Sequence, residues 1–173
     1  MKLLVVSDSH GLENELQIIS ERHPEAEMLI HCGDSELEMT HLAMTGYQGV
    51  AGNCDWPGAG YPNDRIIDLE DGAMKVFVTH GHLYNVKMTE MNLIYKAEEV
   101  GANLVCFGHT HYAGSEQTNG MIVLNPGSIR MPRGRKEPTY ALLDWDRSKR
   151  QLSLEFYTPK GEKVSALGAV YQL

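Results

Sequence analysis

The chain repeats one arrangement five times: a short apolar run, followed at once by residues able to bind a metal. Leu3–Ser7 leads into Asp8 and His10, Met28–His31 into Asp34, and Tyr47–Ala51 into Asn53. Met74–Thr79 leads into His80 and His82, and Asn103–Phe107 into His109 and His111. Short runs that are apolar at nearly every position suit strands covered on both faces. In open α/β sheets, ligands bind outside the carboxyl ends of the strands. The spacing therefore predicts that eight scattered polar residues converge on one end of the fold.

The intervening segments support that reading. Leu16, Ile18 and Ile19 lie among Glu, Gln and Arg, which predicts an amphipathic helix ending near His23-Pro24. A second helix is expected over Met88–Val100, where Met91, Leu93, Ile94, Ala97 and Val100 keep helical spacing and Gly101 serves as C-cap. A short helix is expected over Leu37–Met44, stopped by Gly46, and a loop over Trp56–Asp64. Asp71-Gly72 between Arg65–Leu69 and Met74–Thr79 is a hairpin signal. Later strands are expected over Met121–Leu124, Tyr140–Trp145 and Leu152–Tyr157, the last two joined by the polar turn Asp146–Arg150. Helices between early strands, then strands alone, predict two packed sheets with helices outside, in one domain spanning residues 1–173.

Composition narrows the class. Fifteen Lys and Arg against 23 Asp and Glu give a formal charge of −8. A nucleic acid partner would then need a local basic patch or bound cations. No apolar run approaches the ~20 residues of a membrane helix. The Met1–Val6 run is too short for a secretory leader. Cys32, Cys54 and Cys106 have no framework spacing, which argues for a reducing compartment. A cytoplasmic protein without membrane association is the expectation.

The residue types define the chemistry. Carboxylates supply hard oxygen and can bridge two cations, while neutral imidazole suits Mn, Fe, Co, Ni or Zn. Two cations about 3.5–4 Å apart can activate water and hold both oxygens of an in-line phosphoryl displacement. Each dipeptide alone reads equally as a capped turn; the series, in order and always at a strand end, does not.

The series Asp8-x-His10, Gly33-Asp34, Gly52-Asn53-Cys54-Asp55, His80-Gly81-His82 and Gly108-His109-x-His111 resembles the calcineurin-like metallophosphoesterases, closest to their small prokaryotic phosphodiesterase subgroup. Asn125-Pro126-Gly127-Ser128 also resembles that subgroup's pattern. The resemblance implies a four-layer α/β/β/α sandwich of two mixed sheets flanked by helices, with a dinuclear centre of two divalent transition metals. Mn is the first expectation, with Ni, Co, Fe or Zn as alternatives. It implies that Asp8, His10, Asp34 and His111 bind one metal. Asp34, Asn53, His80 and His109 would bind the other, with Asp34 bridging. A hydroxide between the metals would attack the phosphorus of a small phosphodiester. The alternatives are a non-catalytic protein-interaction scaffold on the same fold, a phosphomonoesterase or a nuclease.

One position departs from the pattern. Many family members carry a histidine after the asparagine, where this chain has Cys54. The leaving group is then without its usual proton donor. Activated aryl diesters need little proton help and should be cleaved readily, whereas alkoxides need a donor such as His82 or water. Asn53, Cys54 and His82 are thus the candidate catalytic positions. Cys54 reads either as a phosphate contact or, by preference, as a space-filling residue. His82 reads as a substrate contact or as support for a ligand.

Other features carry two readings. Asn125–Ser128 either aims N–H groups at phosphate or is an ordinary turn. Arg130, Arg133, Arg135 and Lys136 either bind an anion or, by preference, form a solvated loop. Trp56, Tyr61 and Tyr84 either stack on a substrate or pack. His23 and His41 are expected in solvent, and His31, Cys32 and Cys106 in the core. Leu167, Val170, Tyr171 and Leu173 pack on the core or on a second subunit of a homo-oligomer.

Overall fold

The computed structural model describes residues 1–173. The chain runs β1 (Lys2–Val6), α1 (Glu13–Arg22), β2 (Met28–His31), β3 (Tyr47–Gly49), β4 (Asp64–Leu69) and β5 (Met74–Thr79). It continues through α2 (Met91–Val100), β6 (Leu104–Cys106), β7 (Gly114–Thr118) and β8 (Met121–Asn125). It closes with β9 (Tyr140–Asp146), β10 (Gln151–Tyr157) and β11 (Ala169–Gln172). Six strands form one sheet in the order β11-β10-β9-β1-β2-β3, and five form the other in the order β4-β5-β6-β8-β7. In each sheet a parallel core, β1-β2-β3 or β5-β6-β8, is flanked by antiparallel strands.

Side-chain alternation explains the layers. Leu3 and Val5 of β1 face the other sheet, where they meet a core that includes Val76, Val78, Leu104 and Ile122. Leu4 and Val6 point the opposite way, beneath Leu16 and Ile19 of α1. On the far side, Leu93, Ile94 and Ala97 of α2 cover Phe77, Val105 and Val123. The result is helix, sheet, sheet, helix. Strands covered on both faces must be apolar throughout, hence the continuous runs of the sequence. Truncating Leu16 or Ile19 to alanine would leave a cavity under α1 and cost about 2–5 kcal/mol.

Cross-links close the sides of the sandwich. Arg65 Nε donates to Gly49 O at 2.8 Å, joining β4 to β3. At the other edge, Gln117 Nε2 donates to Gln172 O at 2.8 Å, and the Ser115 and Tyr171 hydroxyls are 3.0 Å apart. Leu167, Tyr171 and Leu173 pack on the inter-sheet core, while Val170 is 62% exposed. No helix is long and apolar enough to cross a membrane.

The sequence expectations fail in four places. Leu37–Met44 is not a helix; only Leu42–Met44 forms a 3-10 turn. Its first half is diverted because Met39 N–H donates to Ala59 O and Glu36 N–H to the Asp55 carboxylate. His41 is the partly exposed cap of that turn, its ring accepting from Ala43 N–H. His23 is buried, not solvated, because its Nε2 lies 2.9 Å from the Tyr140 hydroxyl. Finally, β7 and β11 were not expected from the sequence. β7 is polar, yet Asn119-Gly120 joins it to β8 with both φ angles positive, the signature of a two-residue hairpin.

Candidate metal centre

The parallel strands end together, and their loops are laced by main-chain bonds. Asp8 N–H donates to Gly33 O and His10 N–H to Asp34 O, both at 3.0 Å, and Gly108 N–H donates to His80 O at 3.1 Å. This lacing brings the predicted residues into two donor triads, Asp8–His10–His111 and Asp34–His80–His109. Within each triad the donor atoms lie within 4.8 Å of one another.

The loops hold strained backbone. Asp8 (φ 53°), His10 (φ 44°), Asp34 (φ 54°), His109 (φ 65°) and His111 (φ 63°) all occupy the left-handed region. Each such non-glycine residue costs on the order of 1–3 kcal/mol and persists only where the surroundings enforce it. Five among the predicted ligands point to a site whose geometry outweighs local comfort.

The side chains are oriented from behind. His80 Nδ1 lies 2.7 Å from Cys32 O and His111 Nδ1 lies 2.7 Å from Met131 O. A carbonyl only accepts, so each Nδ1 carries the hydrogen and each Nε2 is turned inward. His10 Nδ1 meets Glu36 Oε1 at 2.6 Å, and its Nε2 is buried without a partner. Asp8 Oδ2 accepts from Ser7 Oγ at 2.6 Å and from His109 N–H at 3.1 Å. Its Oδ1 makes no hydrogen bond, although His111 Nε2 is 3.0 Å away. Asp34 Oδ1 accepts from Cys54 N–H at 2.7 Å, while Oδ2 faces His80 Nε2 at 3.2 Å.

These inward atoms fit a divalent cation. Imidazole lone pairs opposed to carboxylate oxygens repel unless a proton or a metal lies between them. Two unpartnered buried atoms, Asp8 Oδ1 and His10 Nε2, face the same space. The mixed nitrogen and oxygen set suits a borderline transition metal. The electrostatics agree. Burial opposes charge on Asp8, but His111 and His80 outweigh it and lower its pKa. Asp34 is lowered in the same way, chiefly by His80 against burial. His111 is raised by its contact with Asp8, and His80 is raised by Asp34 and Asp8 despite burial. His109, pushed down to about 4 by burial and by His80, is held neutral.

Several organising residues escape sequence reasoning. The Asp55 carboxylate accepts from the main-chain N–H groups of Asp34, Glu36 and Gly52 and from Ser35 Oγ, fastening two loops. Its place in Gly52-Asn53-Cys54-Asp55 was the signal. Glu36 had none. His31 is packed in its strand as expected, and links Ser9 Oγ (2.9 Å) to Gly33 N–H (3.2 Å). Gly108 and Gly52 are needed for close approach: a Cβ there would lie 2.6 Å from Asp8 Oδ2 and 2.0 Å from Asp34 Oδ1, respectively.

The remaining predicted positions divide. Asn53 is exposed and places Oδ1 3.1 Å from His80 Nε2. Cys54 is exposed rather than space-filling: its N–H binds Asp34, and its Sγ lies within 4.8 Å of donor atoms of His10 and Glu36. Burial and the Asp34 carboxylate push its thiol up to about 11. The His82 ring is 5.3 Å from that of His80 and 6.1 Å from that of His109, and its Nδ1 is buried without a partner. Asn125–Ser128 is a turn whose groups bind protein: Gly127 N–H reaches Asn125 Oδ1, and Ser128 Oγ reaches Asp8 O. Of the basic loop, the Arg130 side chain donates to His10 O and Arg133 N–H donates to His111 O at 3.1 Å. Tyr84 and Tyr61 are tied to Asp64 and Ser35, and Trp56 is 44% exposed.

Comparison with known proteins places this architecture. The family model of the calcineurin-like phosphoesterase superfamily domain matches residues 1–148. The chain belongs to that family, and with it to the metal-dependent hydrolases of phosphoric esters. A probable metallophosphoesterase of Bacillus subtilis, YsnB, is 48% identical over 168 residues, 96% of each chain. The crystal structure of a predicted phosphoesterase from Streptococcus pneumoniae superposes with a TM-score of 0.91 at 32% identity, covering 99% of this chain and 97% of that one. Escherichia coli YfcE, called a phosphodiesterase, shares 32% identity over 75 residues, 42% of this chain and 35% of its own.

Proposed function

We propose that residues 1–173 form one catalytic domain, a phosphodiesterase dependent on two divalent ions, with Mn²⁺ the first expectation. Asp8, His10, Asp34 and His111 hold one ion, and Asp34, Asn53, His80 and His109 the other, with Asp34 shared. The observation that carries this reading is the pair of donor triads whose unpartnered atoms face one space. When bound, the ions supply Lewis acidity and an activated water for in-line attack on phosphorus.

The chain's own residues set the geometry. Cys32 O and Met131 O fix the imidazoles of His80 and His111, and Glu36 fixes His10. Asn53 and His82 lie on the open side and contact the phosphate and the departing oxygen. Cys54 leaves that oxygen without a strong proton donor, which suits diesters with good leaving groups. The name of YfcE supports the diester assignment. The exposed Asn53 side of the site suits small diesters, in a cytoplasmic setting.

Chelator-stripped protein is the test. Turnover of bis-p-nitrophenyl phosphate should appear only on adding Mn²⁺ and should exceed that of the monoester p-nitrophenyl phosphate. Full turnover without metal, or preference for the monoester, would overturn the reading.

A further inference from the structure

A cleft of about 650 Å³ opens beside the centre, between the start of α2 and the start of β7. That volume suits a small-molecule subsite. Phe107 lines it, together with Met88, Met91 and Tyr112, which are 79%, 45% and 58% exposed. Thr110 is part of the wall and sits between His109 and His111 in the chain. Asn125 Nδ2 fixes it, donating to Thr110 Oγ1 at 2.9 Å and to Gly108 O at 3.0 Å. The cleft therefore adjoins the metal centre across one residue of a rigid loop.

Its charge is unusual. Glu90 and Glu116 both line the cleft. Glu90 heads α2, yet its side chain does not cap the helix. Burial, then the neighbouring Glu116, pushes its pKa up, and neither carboxylate has a Lys, Arg or His nitrogen within 4.0 Å. Lys87, from the same segment, acts on His109 instead. Two acids beside an exposed aromatic ring and two methionines thus lack a cationic partner. An anionic arm, such as a second phosphate, would be repelled here, whereas an ammonium would be drawn to the carboxylates and to the Tyr112 ring.

We propose that this cleft receives the ammonium-bearing arm of the substrate, so that the enzyme prefers phosphodiesters of amino alcohols of the ethanolamine or choline type. The inference rests on the phosphodiesterase reading. The phosphate occupies the metal centre, and the arm passes Thr110 to lie between Glu90 and Glu116.

Two measurements test it. With Mn²⁺ bound, p-nitrophenyl phosphocholine should exceed p-nitrophenyl 3,3-dimethylbutyl phosphate about fivefold or more in kcat/KM. The two share a leaving group and differ only in nitrogen for carbon. Glu116→Gln and Glu90→Gln should each shrink that ratio severalfold. Separately, choline titrated into the protein should shift the amide resonances of Met91, Tyr112 and Glu116, and 3,3-dimethylbutanol should do so more weakly. Equal kcat/KM for the two esters, or choline shifts absent from this cleft, would overturn the proposal while turnover of the 3,3-dimethylbutyl ester keeps the phosphodiesterase reading intact. Failure to cleave either ester would refute that reading instead, and the choline titration would still decide whether the cleft binds ammonium.

Discussion

The two donor triads are neighbours, with Asp8 Oδ1 4.0 Å from His80 Nε2, yet they are built differently. Asp8, His10 and His111 are all buried, and both histidines have an acceptor fixed behind Nδ1. Asp34 and His80 are also buried, but the third member, His109, is partly exposed, and Asn53 beside it is exposed. The first triad is a packed fixture; the second is open at His109 and Asn53, the side where the proposed substrate enters. A deep ligand set costs desolvation and strain but fixes geometry. An open one leaves coordination positions for the reacting phosphate.

The largest effect should come from removing a donor. His10→Ala and His109→Ala should each reduce diester turnover on the order of 10²–10³-fold or more, with circular dichroism unchanged. The triads should separate in binding: His10→Ala loses its metal outright, whereas His109→Ala, at a partly exposed position, is partly restored by excess Mn²⁺. Equal rescue of both would erase the distinction between fixture and opening.

Glu36 sharpens the contrast, because it braces only the first triad. Glu36→Ala should weaken one Mn²⁺ site about 10–100-fold and leave the other intact, read by calorimetric titration. Glu36 also shows where sequence reading stops. The donors were legible because residue type, strand ends and order coincide. Glu36 supports His10 only because the chain at residue 36 takes a left-handed conformation (φ 55°) under the pull of Asp55, and no local pattern encodes that. The parallel strands were legible because burial on both faces makes them apolar throughout. β7 was missed because its side chains are polar at a sheet edge, although Asn119-Gly120 marked its hairpin. The Leu37–Met44 helix failed because tertiary hydrogen bonds from Asp55 and Ala59 outweigh a weak local propensity.

His31 lies beneath the same loops and predicts a pH dependence. Burial pushes its pKa down to about 4 from 6.5. Its folded form therefore stays neutral while the unfolded chain takes up a proton, so stability present above pH 6.5 is lost as the pH falls. Urea unfolding should show about 2 kcal/mol lost between pH 7 and 5 through this residue. His31→Gln should remove that share of the slope, and an unchanged slope would contradict the assignment.

The smallest effect concerns the open side. Cys54→His restores a proton donor near the leaving group. It should change turnover of bis-p-nitrophenyl phosphate by less than about tenfold while flattening the dependence of rate on leaving-group pKa. A slope unchanged by the substitution would mean that position 54 does not serve the departing oxygen.

The central claim is that the two triads hold two metal ions. Its most direct test is to titrate Mn²⁺ into chelator-stripped protein at pH 7.5 and count bound ions from the electron paramagnetic resonance of free Mn²⁺. The account predicts two equivalents per chain, with the tighter one lost in His10→Ala. A wild-type stoichiometry of one or none, or a His10→Ala protein that still binds two, would contradict it.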